Sequence, residues 1–195
     1  MKHLVITIGC EYGAKGNAIG KKIAQDLGIK FYDRDLVDEI IKEVGIPTDI
    51  MDRVEEGGTI AGKGAQGDVR GSFSKYADLT DRAIHVQKQI IRKLAQKEAC
   101  VIIGRSADYI LKDRDDVLNV FIHGDMPEKI QRIMGLYNVE EKEAVKMMAD
   151  TDKRRMTNYS FYTDQKWGKA SNYTLCLNSS KLGYDRCEKI IMECI

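Results

Sequence analysis

The stretch from Ile6 to Leu27, ITIGCEYGAKGNAIGKKIAQDL, limits the possible folds of this chain more than any other. Leu4 to Ile8 reads as an apolar strand, and Ile19, Ile23, Ala24 and Leu27 recur behind it at helical spacing. Between them, Gly9, Gly13 and Gly16 leave backbone amides unshielded by Cβ atoms. Such amides can converge on one anion where the following helix presents its positive dipole end. The order of strand, glycine turn and helix therefore suits a phosphate.

A phosphate-binding loop of the pattern G-x-x-x-x-G-K-[ST] places a lysine seventh, and Lys15 is the seventh residue counted from Gly9. Ala14 replaces the second glycine, Gly16 takes the hydroxyl position and Asn17 follows. Gly9, Gly13, Ala14, Gly16 and Asn17 are thus the candidate donor-phosphate residues, with Lys15 reaching the outer phosphates. A glycine-rich turn without a ligand fits the same letters; the flanking strand and helix favour the phosphate.

With 195 residues, 43% of them hydrophobic, the chain has enough apolar material for one sizeable core. A single domain over 1–195 is expected, with an insert at about 47–80. Thirty-one Lys and Arg balance thirty Asp and Glu, and no basic stripe with interleaved aromatics appears, so nucleic acid is not an expected partner. No apolar run approaches the ~20 residues of a membrane helix, and the N-terminus enters a strand without a charged-then-apolar leader, so a cytoplasmic protein is expected. Five cysteines without a C-x-x-C pair suggest neither a disulfide framework nor a zinc site, and are expected to be small buried residues. The three histidines, His3, His85 and His123, stand apart from one another. No metal-ligating cluster is read.

Further along, Lys30 to Tyr32 is a short strand, and Leu36, Val37, Ile40, Ile41 and Val44 mark a helix that Asp33 would cap and Arg34 would begin. Both residues also lie at a strand end, where α/β sheets bind ligands. Residues Gly57 to Ser72 carry six glycines among polar residues, which suits either a substrate flap or a surface insertion. A helix over Asp78 to Lys97 leads into the apolar strand Ala99 to Ile103. That strand ends in Gly104, Arg105, Ser106, Ala107 and Asp108. An arginine there calls for an anion, or for an ion pair with Asp108 or Asp33.

Val117 to Ile122 is the next strand. Asp125 and Pro127 open a helix bearing Arg132 that Gly135 would break, and a second helix runs from Glu140 to about Met156 with Arg154 and Arg155 near its end. This hairpin, with arginines on both arms, would clamp phosphates if it closed over the first loop. An aromatic, polar stretch leads to the strand Thr174 to Leu177, the loop Asn178 to Lys181, and a last helix burying Tyr184, Cys187, Ile190, Ile191 and Cys194. Strands alternating with helices imply right-handed crossovers and a parallel sheet with helices on both faces.

The segments EYGAKGN, FYDRDLV, IIGRSADYIL, Lys166-Trp167 and SNYTLCLNSSKLG together resemble the cytidylate kinase-like group of nucleoside monophosphate kinases over nearly the whole chain. The resemblance implies a P-loop NTPase-type α/β fold with a five-stranded parallel sheet and a short helical lid at about 132–155. It further implies ATP and Mg²⁺ as cofactors, a nucleoside monophosphate such as CMP or dCMP as acceptor, Lys15, Arg132, Arg154 and Arg155 as catalytic cations, and Arg105 as the acceptor-phosphate residue. Asp33, Arg34 and Asp108 complete the acceptor candidates. A non-catalytic nucleotide-binding module and a kinase with a non-nucleotide acceptor are the alternatives. Base identity and oligomeric state are not legible.

Overall fold

Short β-branched runs separated by helices demand parallel pairing, because each strand returns to the same end of the sheet through a crossover. A computed structural model, which describes residues 4–43, 45 and 69–195, meets that demand with five strands. These are β1 (Val5–Cys10), β2 (Lys30–Tyr32), β3 (Cys100–Ile103), β4 (Val117–His123) and β5 (Leu175–Asn178). They lie in the order β2-β3-β1-β4-β5, all parallel. β1 is central: Val5 to Ile8 oppose Cys100 to Ile103 on one side, and Val5 to Cys10 oppose Val117 to Ile122 on the other.

Neighbouring residues on a strand face opposite layers. Ile6, Ile8, Val101, Ile103, Val120 and Ile122 pack with α1 (Gly16–Leu27) and α8 (Tyr184–Met192). Val5, Cys100 and Ile102 pack on the other face with α2 (Arg34–Glu43), α3 (Val69–Lys97) and the short α4 (Ala107–Ile110). Burial on both sides is why the strands read as unbroken apolar runs. Helices α5 (Met126–Tyr137) and α6 (Glu141–Thr163) form a hairpin with a small core of its own, built on Ile133, Ala144 and Met148.

Several boundaries depart from the sequence expectation. Helix α3 begins at Val69, so the last residues of the glycine-rich stretch are helical; residues 46–68, with the Pro47 segment, lie outside the described residues. Gly135 does not end α5, because a lone glycine in a helix costs only about 1 kcal/mol relative to alanine. The helix continues to Tyr137. Helix α6 runs past Met156 to Thr163, and Tyr159 and Thr163 in that extension are buried. Asn178 to Lys181 are not a loop: the Asn178 Oδ1 accepts from the N–H groups of Ser180 (2.9 Å) and Lys181 (3.1 Å), a cap that winds α7 (Ser179–Leu182). Cys176 and Cys194 are exposed, whereas Cys100 and Cys187 are buried. Asp33 does cap α2, its Oδ1 accepting from Leu36 N–H at 3.0 Å.

Helix α1 starts hard against the end of β1. A Cβ added at Gly16 would lie 2.4 Å from the Cβ of Cys10 and 2.8 Å from its Sγ. Gly16→Ala must push strand and helix apart, and we expect it to lower stability by roughly 1–3 kcal/mol, the usual cost of overpacking. A lower urea midpoint at unchanged m-value is the signature.

Candidate active site

The loop between β1 and α1 turns through Gly13 at φ +84° and Lys15 at φ +60°, the latter a conformation that favours glycine. Its backbone is gripped by the α5–α6 hairpin. Arg155 donates to the Cys10 carbonyl at 2.7 Å and Arg132 donates to the Gly13 carbonyl. The Tyr12 N–H donates to Asp152 Oδ1 at 2.8 Å, so a carboxylate already sits on one loop amide. Burial raises the Asp152 pKa. Glu11 accepts from Gly124 N–H at 3.2 Å and from the buried Lys129 Nζ at 2.6 Å, tying the loop to the start of α5.

Where the carboxyl ends of β1 and β3 meet α6, a cavity of about 150 Å³ opens. Gly9 and Cys10 line it from β1, Arg105, Ser106 and Asp108 from the turn after β3, and Arg154, Arg155, Asn158 and Tyr159 from α6. Trp167 and Tyr173 add an aromatic side. Both rings pack on Phe121 of β4, with centroids 5.1 Å and 5.0 Å away.

The turn after β3 is strained: Gly104, Arg105 and Ser106 follow one another at φ +67°, +56° and +52°. A left-handed non-glycine residue costs roughly 1–2 kcal/mol, so neighbours must hold this shape. Ala107 N–H donates to the Gly104 carbonyl at 3.0 Å, and Gln87 Nε2 of α3 donates to the Arg105 carbonyl at 3.3 Å. The Arg105 side chain, 5% exposed, pairs with Asp38 of α2. Its partner is therefore neither Asp108 nor Asp33, the two expected from sequence. Asp108 instead accepts a hydrogen bond from the Tyr159 hydroxyl at 2.6 Å, and burial raises its pKa.

Of the residues predicted from sequence, Gly9, Arg105, Asp108, Arg154 and Arg155 meet in this cleft. Arg154 has a long 3.4 Å contact to Thr151 and no ion pair among the described residues. Lys15 does not line the cleft. Its Nζ lies 4.1 Å from the centroid of the Tyr184 ring, and the Arg132 guanidinium approaches the same ring at 5.0 Å, beside α1 and α8. Ala14 is buried in the core under α1, whereas Asn17 is exposed on α1. Asp33 is occupied in capping α2. Arg34 begins α2, and its side chain lies outside the described residues.

The sequence reading missed Gln87, Asp38, Tyr159 and Tyr173. Gln87 carried a usable signal: it shares a helical face with Ile84, Ile91 and Leu94, yet it is a polar residue, and it is 6% exposed. Tyr159 and Tyr173 lay in a stretch without periodicity. The partnership of Asp38 with Arg105 spans 67 residues and has no local mark.

The architecture is shared with shikimate kinase from Bacteroides thetaiotaomicron (TM-score 0.55, 15% identity, 98% of this chain and 97% of that one). It is also shared with shikimate kinase from Acinetobacter baumannii (TM-score 0.53, 15% identity, 98% and 92%). The fold is that of the P-loop kinases. An uncharacterized protein from Eubacterium ventriosum is more similar, with a TM-score of 0.77 and 29% identity over 99% of this chain and 98% of that one. The sequence model of the cytidylate kinase-like family matches residues 5–181, and the chain belongs to that family. No curated protein sequence matches it.

Two outcomes follow from the buried charges. Arg105→Ala removes the buried guanidinium that pairs with Asp38 and should lower stability in denaturant unfolding by up to about 3–5 kcal/mol, the range for removing one partner of a buried pair. The raised pKa of Asp108 means that the folded state holds its proton more tightly than the unfolded chain. Its contribution to stability is full below the ordinary carboxylate range and falls as pH rises through the interval above it. Asp108→Asn removes that loss, so relative to the parent it should be more favourable at pH 7.5 than at pH 4, measured by urea unfolding at both.

Proposed function

We propose that this protein transfers the γ-phosphoryl group of ATP to a nucleoside monophosphate, CMP or dCMP. The observation that carries the reading is the company kept in the cleft. Arg105, Arg154 and Arg155 stand beside Trp167 and Tyr173, against the first residues of the glycine turn. Arginines suit the phosphate end of a nucleotide and aromatic rings suit a base.

Phosphoryl transfer needs positioning and charge neutralisation rather than covalent help from the protein. In this reading the amides around Gly13 and Gly16 hold the donor phosphates. A Cβ at Gly13 would lie 3.1 Å from the Cβ of Lys129, so the loop keeps its close approach only with glycine there. Arg154, which has no ion pair among the described residues, turns to the transferring group, and Arg155 sits between loop and acceptor. Lys15 and Arg132 serve the donor side and reach its phosphates by leaving Tyr184. Mg²⁺, when bound with the donor, would supply further charge neutralisation. Among the described residues no three His, Cys, Asp or Glu converge on a metal. No helix among the described residues is long and apolar enough to cross a membrane.

One observation favours a second reading. Lys15 lies on Tyr184 outside the cleft, which also suits a nucleotide-binding module without transferase activity. A coupled assay with ATP and CMP, dCMP, UMP or AMP separates the two. Turnover of none of them, where ATP still raises the melting temperature, overturns the nucleoside monophosphate kinase and leaves the binding module or a kinase with a non-nucleotide acceptor. If the kinase reading holds, Arg155→Ala lowers kcat by roughly 10³-fold, as loss of a transition-state arginine does, with little change in melting temperature.

A further inference from the structure

Helix α6 carries both cleft arginines, grips the loop through Arg155 and Asp152, and is packed against the rest of the protein on either side of them, with Tyr162 against the main core. Near its start, Ala144 and Met148 pack into the hairpin core with Ile133. Past the arginines, its buried residues are Tyr159 and Thr163. Tyr159 is 4% exposed, and its hydroxyl donates to Asp108 Oδ2 at 2.6 Å and meets Gln165 Oε1 at 3.2 Å. Thr163 Oγ1 donates to the Tyr159 carbonyl at 2.6 Å and accepts from Gln165 N–H at 3.1 Å, which pins the last turn.

Two facts make this attachment more than packing. Tyr159 lies one helical turn beyond Arg155, on the same face, so whatever fixes Tyr159 also fixes the direction of Arg155. Asp108 belongs to the segment that carries Arg105, three residues past it and directly after the left-handed turn. One hydrogen bond therefore joins the segment that places Arg105 to the helix that places Arg155 on the Cys10 carbonyl.

We propose that the Tyr159–Asp108 hydrogen bond is a latch that sets Arg155 on the phosphate loop and in register with Arg105. Tyr159 is thus a positioning residue for the transfer. The catalytic half of this inference rests on the kinase reading; the latch itself does not. A displacement of about 1 Å in such a constellation costs up to about 10²-fold in rate.

The substrate-independent test is amide hydrogen exchange on the whole protein without nucleotide. Tyr159→Phe keeps the ring and loses the hydroxyl. The expected result is about tenfold faster exchange at residues 10–16 and in the second half of α6, with β3 and β4 unchanged. Unchanged exchange at 10–16 overturns the latch, whatever the enzyme does.

The catalytic test is a comparison of kcat and KM. Tyr159→Phe should lower kcat about tenfold or more with KM for both substrates within about threefold, since the interaction lost acts in the transition state. Asp108→Ala should fall to the level of Tyr159→Phe and add nothing to it in the double variant. Additive losses, or a change in melting temperature alone, overturn the positioning role. Faster exchange together with a parent that phosphorylates no nucleotide upholds the latch and sinks the kinase reading alone.

Discussion

The close approach of α1 to the end of β1 is the contact on which the rest of this site depends. Gly16 packs against Cys10 with no room for a side chain, and Ala14 is fully buried beneath the helix. The intervening residues must therefore make a tight turn, closed by the Ala14 N–H donating to the Glu11 carbonyl at 3.1 Å, with the Cys10 and Gly13 carbonyls left for others to satisfy. Arg132 and Arg155 do that from the hairpin, while Asp152 accepts from the Tyr12 N–H. The guanidinium groups on its carbonyls arrive from segments more than a hundred residues away, as the Arg155 to Cys10 contact shows.

Magnitudes rank how firmly the cations are held. Arg105 is buried against Asp38, and parting such a pair costs several kcal/mol, so it belongs to the fixed frame of the cleft. The hold of the exposed Lys15 on the face of Tyr184 is worth about 0.5–1 kcal/mol, less than a charge-assisted bond to phosphate returns. Arg155 is intermediate, bonded to a loop carbonyl and about a third exposed. Rigid guanidinium, tethered guanidinium and loosely held ammonium thus form a graded set around one turn.

Much of this was legible in the residues. Apolar runs without alternation announced buried parallel strands, and the glycine spacing after the first of them announced the loop, because both signals are local. The arginines of the cleft could be named because a charge at the end of a buried strand, or clustered on a helix, needs a counterpart. What stayed hidden was pairing at a distance. Asp38 reads as one of several acids on an amphipathic helix, and only the fold sets it against Arg105. The surface under Lys15 was hidden for a related reason: its position in the pattern suits phosphate, and the aromatic ring its side chain lies on is contributed by a helix at the far end of the chain. Helix ends were missed where an anchor or cap overrode composition, at Thr163 and Asn178.

The sheet itself divides the neighbourhood. Tyr184, with Lys15 and Arg132, stands on the side of α1 and α8, while Trp167, Tyr173 and Arg154 stand on the opposite side with the turn after β3; the glycine loop is the ridge between them. Changes around one aromatic surface leave the other's packing intact. Substitutions can therefore alter the two aromatic flanks separately, so long as the crest that both share keeps its shape.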